Sequence, residues 1–502
     1  QYQVPDWYRN AKFGIWAHWG PQCQPEHGDW YARGMYQEGS AQYKSHLAEY
    51  GHPSKSGFKD IIHQWKAERW DPEHLMALYK RAGAQYFVAL ANHHDNFDTY
   101  DSKYQPWNST KLGPKKDIIG EWAKAARKQQ LHFGVSVHAA HAWTWYEVAR
   151  RPDRTGPFAG VPYDGKHTKA EGKSAWWEGL DPQDLYAQNH HMSKNSGDNR
   201  NIHKIWGWDA SAGCSIPDKS YCEKFYNRTV DLINKYSPDL VYFDDTVLPL
   251  WPISDAGLRI AAHLYNSSIK KHGSLQAVLN GKILDEEQRK CMVWDIERGQ
   301  SNRIEPFVWQ TDTCLGSWHY NRDIFEQHRY KSARTVIHTL ADVVSKNGNL
   351  LLSVPLRGDG TIDSDEQTIV EGIAAWMQLN SEAIYDTRPW EIFGEGPAME
   401  SAAPLSAQGF NEGKGKPFTA EDIRFTRKGD ALYAIVLGWP AGKKVIIRSL
   451  AAGSAYYKKQ IQRVGLLGGE SALAFERTDH GLAVQLPENS PEQVAITLKI
   501  LS

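Results

Sequence analysis

Eight short apolar runs, most of them followed by a stretch of helical periodicity, constrain this chain more than any other feature. In order they are KFGIWAHWG, YFVALANHH, FGVSVHAAH, DLVYFDD, LQAVLN, VWDIERG, FVWQTD and NLLLSVP. Stretches such as WDPEHLMALYKRAG, DIIGEWAKAARKQQ and CEKFYNRTVDLINKYS lie between them. A strand that is apolar on both faces must be covered on both, which parallel strands joined by crossover helices achieve. Eight such strands are the number that closes a (β/α)8 barrel. An open doubly wound sheet would bury them as well, but no GxGxxG follows the first run. From about residue 385 the texture changes to β-type runs separated by Gly, Lys, Asp and Pro, among them IRFTRKGDALYAIVL, KKVIIRSL, LAVQLP and VAITLKIL. The expectation is an α/β chain with a barrel over residues 1–385 and an antiparallel β-sandwich over residues 386–502. Residues 386–420 form its linker and access loop.

Polar residues where barrel strands run out lie on the C-terminal face, where active sites of this fold sit. Here His18 and Trp19 end the first run, His93 and His94 the second, and His138 and His141 follow the third. Asp244 and Asp245 end the fourth, and Asp295 and Glu297 the sixth. His18, His93, His94 and Asp244 are permitted zinc ligands. However, adjacent residues of a strand point to opposite faces, and the chain has no HExxH and no cysteine cluster, so neither metal nor cofactor is expected. Neutral imidazoles instead suit uncharged hydroxyls, to which they both donate and accept hydrogen bonds. The two-residue period of LVYFDD sets Tyr242 and Asp244 on one face and Asp245 on the other, so one aspartate enters the site.

Charge narrows the ligand further. Lys plus Arg is 58 against 59 for Asp plus Glu, which gives no electrostatic handle for nucleic acid or an anionic membrane. No apolar run approaches the roughly 20 residues of a membrane span. The 21 Trp and 24 Tyr offer broad faces on which the C–H side of a sugar ring stacks, although a Trp-rich core is the plainer use for them. Five cysteines set no disulfide framework, and Cys214 with Cys222 is the one pair left open. A secreted or periplasmic location after leader removal is expected, with a cytoplasmic one left open; the sequence sets no oligomeric state. The aperiodic stretch 145–215, rich in Trp, Asp, Lys and Gly, is expected on the pocket rim.

Several blocks together resemble glycoside hydrolase family 29, the retaining α-L-fucosidases: FGIWAHWG with GDWYARGMY, YFVALANHHDNFDTYDSKYQPWN, PDLVYFDD, GSWHYN and NGNLLLSVPLRGDGTI. The resemblance implies an oligosaccharide or polysaccharide substrate. It makes Asp244 the nucleophile, in the family's Trp-x-Asp-Gly place, although Tyr242 and Asp245 flank it here. Its sugar-contacting residues fall on His18, on Asp29 and Trp30, on His93 and His94, and on Trp318 of the GSWHYN block, with Trp30 as the ring platform. Where many members read Trp-Glu, this chain has Trp309 and Gln310, whose amide holds no titratable proton. Glu297 of VWDIERG resembles another group's acid/base, with the adjacent Arg298 available to position it or to contact substrate; Glu305, Asp295 and Asp312 are the alternatives. The two carboxyls would stand about 5–6 Å apart, with Glu297 in the less polar setting. His138 and His141 replace a tyrosine usual in the family, which leaves an α-L-galactosidase acting on an algal galactan as the alternative and an inactive sugar-binding protein as a third reading.

Overall fold

A computed structural model describes residues 2–194, 206–401, 409–469, 471–488 and 494–502. The eight runs form β1 (Phe13–Ala17), β2 (Tyr86–Asn92), β3 (His132–Val137), β4 (Leu240–Phe243), β5 (Val278–Gly281), β6 (Val293–Glu297), β7 (Trp309–Cys314) and β8 (Gly348–Ser353). They pair in sequence order into a closed parallel barrel, shut by the pairing of β1 with β8 from Phe13 opposite Leu350 to Trp16 opposite Ser353. Every residue of β1, β2, β4, β5, β7 and β8 is buried, as strands covered on both faces require.

Four of the crossover helices start on their own capping side chain, whereas the helix Ala256–His272 between β4 and β5 has no such cap. Asp71 accepts from His74 N–H at 3.0 Å, Asp117 from Gly120 N–H at 3.0 Å, Asp218 from Tyr221 N–H at 2.8 Å and Ser332 from Thr335 N–H at 3.2 Å. Such caps contribute about 1 kcal/mol each and fix where the helix leaves its loop. The outer layer departs from a regular (β/α)8 pattern between β5 and β6, where a 3-10 turn (Gln288–Lys290) replaces the helix, and between β6 and β7, where there is none. That irregular side exposes the end of β6 to the linker.

The two C-terminal sheets are antiparallel, and the first strand of the larger one, Arg388–Glu395, lies inside the stretch 386–420 expected as linker. β9 (Arg388–Glu395), β10 (Ile423–Lys428), β11 (Ala431–Val436), β13 (Arg463–Leu466) and β16 (Ile496–Leu501) make one sheet; β12 (Lys444–Ile447), β14 (Phe475–Thr478) and β15 (Gly481–Gln485) make the other. β10 and β11 form a tight hairpin, pairing Lys428 with Ala431, and Gly429 takes the positive φ of +57° that its first loop position demands. The sandwich is fastened to the barrel helix Ala333–Ser345 by a buried ion pair, Arg424 Nε to Asp342 Oδ1 at 2.6 Å.

Many of the tryptophans serve packing. Trp19, Trp65, Trp70 and Trp122 meet edge to face or tilted at 5.0–5.1 Å between the barrel and its helices. None of the five cysteines forms a disulfide, so Cys214 and Cys222 do not pair. Among the described residues no helix is long and apolar enough to cross a membrane.

Candidate active site

The pairing of β2 with β3 shifts register between Leu90 and Asn92, and β2 stops at Asn92. Asn92 holds this corner with its side chain: the amide oxygen accepts from His138 and Ala139 N–H at 3.1 Å each, and the amide donates to Asp98 at 2.9 Å. Because the strand is over, the alternation of faces does not govern His93 and His94. Their rings lie 4.4 Å apart, and both stand beside His138. The alternation of faces, weighed above against a shared ion, therefore does not apply to this pair.

The two histidines nevertheless divide their work. His93 lines a cavity of about 200 Å³, whereas His94 does not. His94 Nδ1–H donates to the His138 carbonyl at 2.8 Å, and its Nε2 stands 3.4 Å from Asp244 Oδ2. One ring faces the ligand space and the other backs a carboxylate.

That carboxylate is gripped on both oxygens. His138 Nδ1–H donates to Asp244 Oδ2 at 3.0 Å, and Lys282 Nζ, just past β5, lies 2.7 Å from Oδ1. The same ammonium lies 2.5 Å from Glu297 Oε2 at the end of β6. Two oxygens held by one nitrogen are no farther apart than those two distances laid end to end, which fits the ~5–5.5 Å of a retaining carboxyl pair. Both side chains are mostly buried, 18% and 15% exposed, and both open into the cavity.

The environments drive the two carboxyls apart. Burial would raise Asp244, but Lys282 and the imidazoles of His138 and His94 outweigh it and hold the group well below the ordinary carboxylate range. For Glu297, burial joined by the Asp244 charge outweighs Lys282, and its value is raised. One group is thus kept ionised and the other inclined to keep its proton, the pattern that separates nucleophile from acid. Burial opposes the charge on Lys282, yet Asp244, Glu297, Asp312 and Asp295 around it hold the ammonium protonated.

The remaining walls are imidazoles His18, His93 and His138, indoles Trp16, Trp30, Trp206 and Trp318, and Asp29, Asp312, Tyr242 and Phe410. Their proton arrangement follows from their partners. Ala32 N–H donates to Gln22 Oε1 at 3.2 Å, so it is Gln22 Nε2–H that meets His93 Nδ1 at 3.0 Å. Burial pushes His93 well below ordinary histidine, so the neutral ring carries its one proton on Nε2 and donates from it. His138 is the converse: burial pushes it down to about 4, Nδ1–H donates to Asp244, and the buried Nε2 is a lone pair without a partner among the described residues. His18 Nδ1 is likewise buried and unpartnered. A donor and an acceptor side by side in a dry pocket match a hydroxyl, which needs both.

Ligand atoms of His93, His94, His138 and Asp244 lie within 4.8 Å of one another, as do those of Asp29, His93 and His319. Strand geometry therefore does not rule out a metal. The donor chemistry takes His93 out of both sets, because its Nδ1 accepts from Gln22 and its Nε2 then bears the proton; two residues remain of the second set, and in the trio left of the first the His138 Nδ1–H is already donated to Asp244.

Other expected residues stand elsewhere. Arg298 does not line the cavity; it is 41% exposed and pairs with Glu412 at 3.2 Å, while Lys282 takes the place beside Glu297. His141 is stacked between Trp206 and Trp208 at 4.7 and 4.8 Å, with Nε2 3.1 Å from Asp245 Oδ1, so neither residue enters the cavity. Gln310 is fully buried below the site, accepting from Tyr8 and Tyr86 hydroxyls at 2.8 and 3.0 Å and donating to Asp295 at 2.7 Å. Tyr242 lines the cavity with its ring, while its hydroxyl donates to Asp312 at 2.6 Å. Glu305 is held away by Ser301 at 2.6 Å. Asp29 accepts from His319 Nδ1–H at 2.6 Å, and Trp30 adopts a positive φ of 60° beside it.

Sequence reasoning missed Lys282, Trp16, Trp206, His319 and Phe410. Lys282 had a signal, since it follows the fifth apolar run at the same strand-end position as the others. Trp206, in the stretch expected at the rim, and Phe410, in the linker, had none.

Two family models match the chain: one described as alpha-L-fucosidase over residues 1–382, and one described as alpha-L-fucosidase C-terminal domain over residues 416–501. Residues 383–415 fall outside both. The chain is 25% identical over 505 residues to tissue alpha-L-fucosidase of Homo sapiens, covering 98% of this chain and 87% of that protein. It is 24% identical over 515 residues to the Rattus norvegicus protein of the same name, covering 99% and 90%. The crystal structure of Thermotoga maritima alpha-fucosidase with a mechanism-based inhibitor superposes with a TM-score of 0.71 at 24% identity, covering 100% of this chain and 97% of that one.

Proposed function

Since the chain belongs to the α-L-fucosidase family of glycoside hydrolases, we propose that it releases terminal α-L-fucosyl residues with retention of configuration, Asp244 acting as nucleophile and Glu297 as acid/base. The observation that carries this reading is the single Lys282 ammonium shared by the two carboxylates at the mouth of one cavity. Asp244 Oδ1 or Oδ2 attacks the anomeric carbon while Glu297 gives its proton to the departing oxygen, and a glycosyl ester forms on Asp244. Glu297, now ionised, takes a proton from water, and that water displaces Asp244 from the sugar. The neutral rings of His93 and His138 offer hydroxyls one donor and one acceptor, and Trp30 is the ring platform.

An α-L-galactoside reading draws less support from the site. Of the two histidines behind it, His138 alone faces the cavity, and with Nδ1 held by Asp244 it offers a further hydroxyl only the Nε2 acceptor. Incubation with 2-deoxy-2-fluoro-α-L-fucosyl fluoride tests the proposal. Peptide mass spectrometry is expected to find one fluorofucosyl ester, on Asp244; labelling elsewhere, or first-formed β-L-fucose in NMR of the natural reaction, would overturn it. Turnover of nitrophenyl α-L-fucoside above that of the α-L-galactoside separates the two sugars.

Lys282→Met gives a signed prediction. The ammonium lowers both Asp244 and Glu297, so its removal raises both. Both limbs of the pH dependence of kcat/KM are expected to move to higher pH, by about 1–3 pH units, because an adjacent opposite charge shifts a carboxyl by that much. An unchanged profile would show that Lys282 only packs.

A further inference from the structure

The linker does more than connect the two halves of the chain. Gly409 bridges in parallel to Glu297, Phe410 N–H donates to the Glu297 carbonyl at 2.8 Å, and Glu412 N–H donates to the Arg298 carbonyl at 2.9 Å. Asn411 closes the ladder on Gln300, accepting from its N–H at 2.8 Å and donating to its carbonyl at 3.0 Å. The Glu412 carboxylate then ties the segment to Thr313 at 2.7 Å and Lys331 at 3.0 Å. Residues 409–412 are thus an extra strand-like edge on the irregular side of the barrel, fixed to the backbone of the candidate acid/base.

Two features of this edge are not needed for a simple tether. Phe410 and Arg298 both hold positive φ, 50° and 44°, an unfavourable conformation for non-glycine residues and one that gathers at functional sites. Phe410 also leaves its ring 38% exposed, and that ring lines the catalytic cavity. A large apolar face is held against solvent by strained, well-anchored backbone beside Glu297. The glycosidic oxygen that Glu297 protonates carries the leaving group, and Phe410 lines the same cavity as Glu297 while its backbone is bonded to that residue.

We infer that Phe410 is the platform on which the leaving-group ring of the substrate, a pyranose attached to the cleaved sugar, stacks by its C–H face. This rests on Glu297 being the proton donor proposed above. The segment lies outside both family matches.

Phe410→Ala and Phe410→Trp test it with two substrates, α-L-fucosyl fluoride, whose leaving group has no ring, and the fucosyl disaccharide that the unaltered chain cleaves fastest from a panel differing in linkage. F410A is expected to lower kcat/KM on the disaccharide about three- to tenfold, the kinetic equivalent of one stacked ring, with a clearly smaller loss on the fluoride, and F410W to restore the disaccharide. Equal losses on both substrates would assign Phe410 to support of Glu297 and overturn the platform, as would no loss on either. Turnover of the fluoride by the unaltered chain reports on the catalytic reading alone, and its absence would overturn both inferences together.

Discussion

Asp244→Asn is expected to lower kcat on nitrophenyl α-L-fucoside by about 10⁴–10⁶-fold, the range seen when a covalent nucleophile is removed. The amide has the shape of the carboxylate and its oxygen still accepts from His138 Nδ1–H, so the corner held by Asn92 keeps its geometry. Lys282 retains Glu297, Asp312 and Asp295 around it, so the buried ammonium is not left uncompensated and the variant should fold. Circular dichroism and binding of L-fucose, unchanged in the variant, separate loss of chemistry from loss of structure. Turnover within tenfold of the unaltered chain would remove Asp244 from the mechanism.

Glu297→Gln is expected to cost about 10²–10⁴-fold in kcat on a disaccharide, the usual contribution of general acid catalysis. On nitrophenyl α-L-fucoside the loss in glycosylation should be much smaller, since nitrophenolate departs without a proton. The pH profile carries the sharper sign. In the unaltered chain kcat/KM should fall on the acid side as Asp244 gains a proton, far down because Lys282 and the imidazoles hold that group low. It should fall on the alkaline side as Glu297 loses its proton, above the usual glutamate value because burial and Asp244 raise it. In E297Q the alkaline limb disappears. If it persists, the proton comes from Asp312, which also lines the cavity and is itself raised by burial and by Asp295.

Much of the architecture was legible because it rests on local pattern. A run such as VALAN has to be covered on both faces, whatever follows it, and eight such runs leave few alternatives to closure. The caps at Asp71, Asp117, Asp218 and Ser332 act on amides within three residues, so they too can be read from the chain. The strand-end rule carried His18, His93, His138, Asp244 and Glu297 to the cavity for the same reason, that a strand fixes which end of it meets the ligand.

The sequence by itself determined the barrel, the sandwich and the ring of polar residues on the C-terminal face. The tertiary structure alone decided which partner each of those residues has. Arg298 is next to Glu297 along the chain, yet Lys282, fifteen positions earlier, holds it, because neighbouring staves bring β5 and β6 ends together while a positive φ turns Arg298 toward Glu412. His141 reads as a pocket residue and is instead clasped by two indoles from the loop beyond it, and Gln310 is pulled below the floor by Tyr8 and Tyr86. Periodicity specifies the face of an element, but ion pairs and hydrogen bonds between distant elements depend on how those elements are brought together, and no short-range pattern encodes that distance.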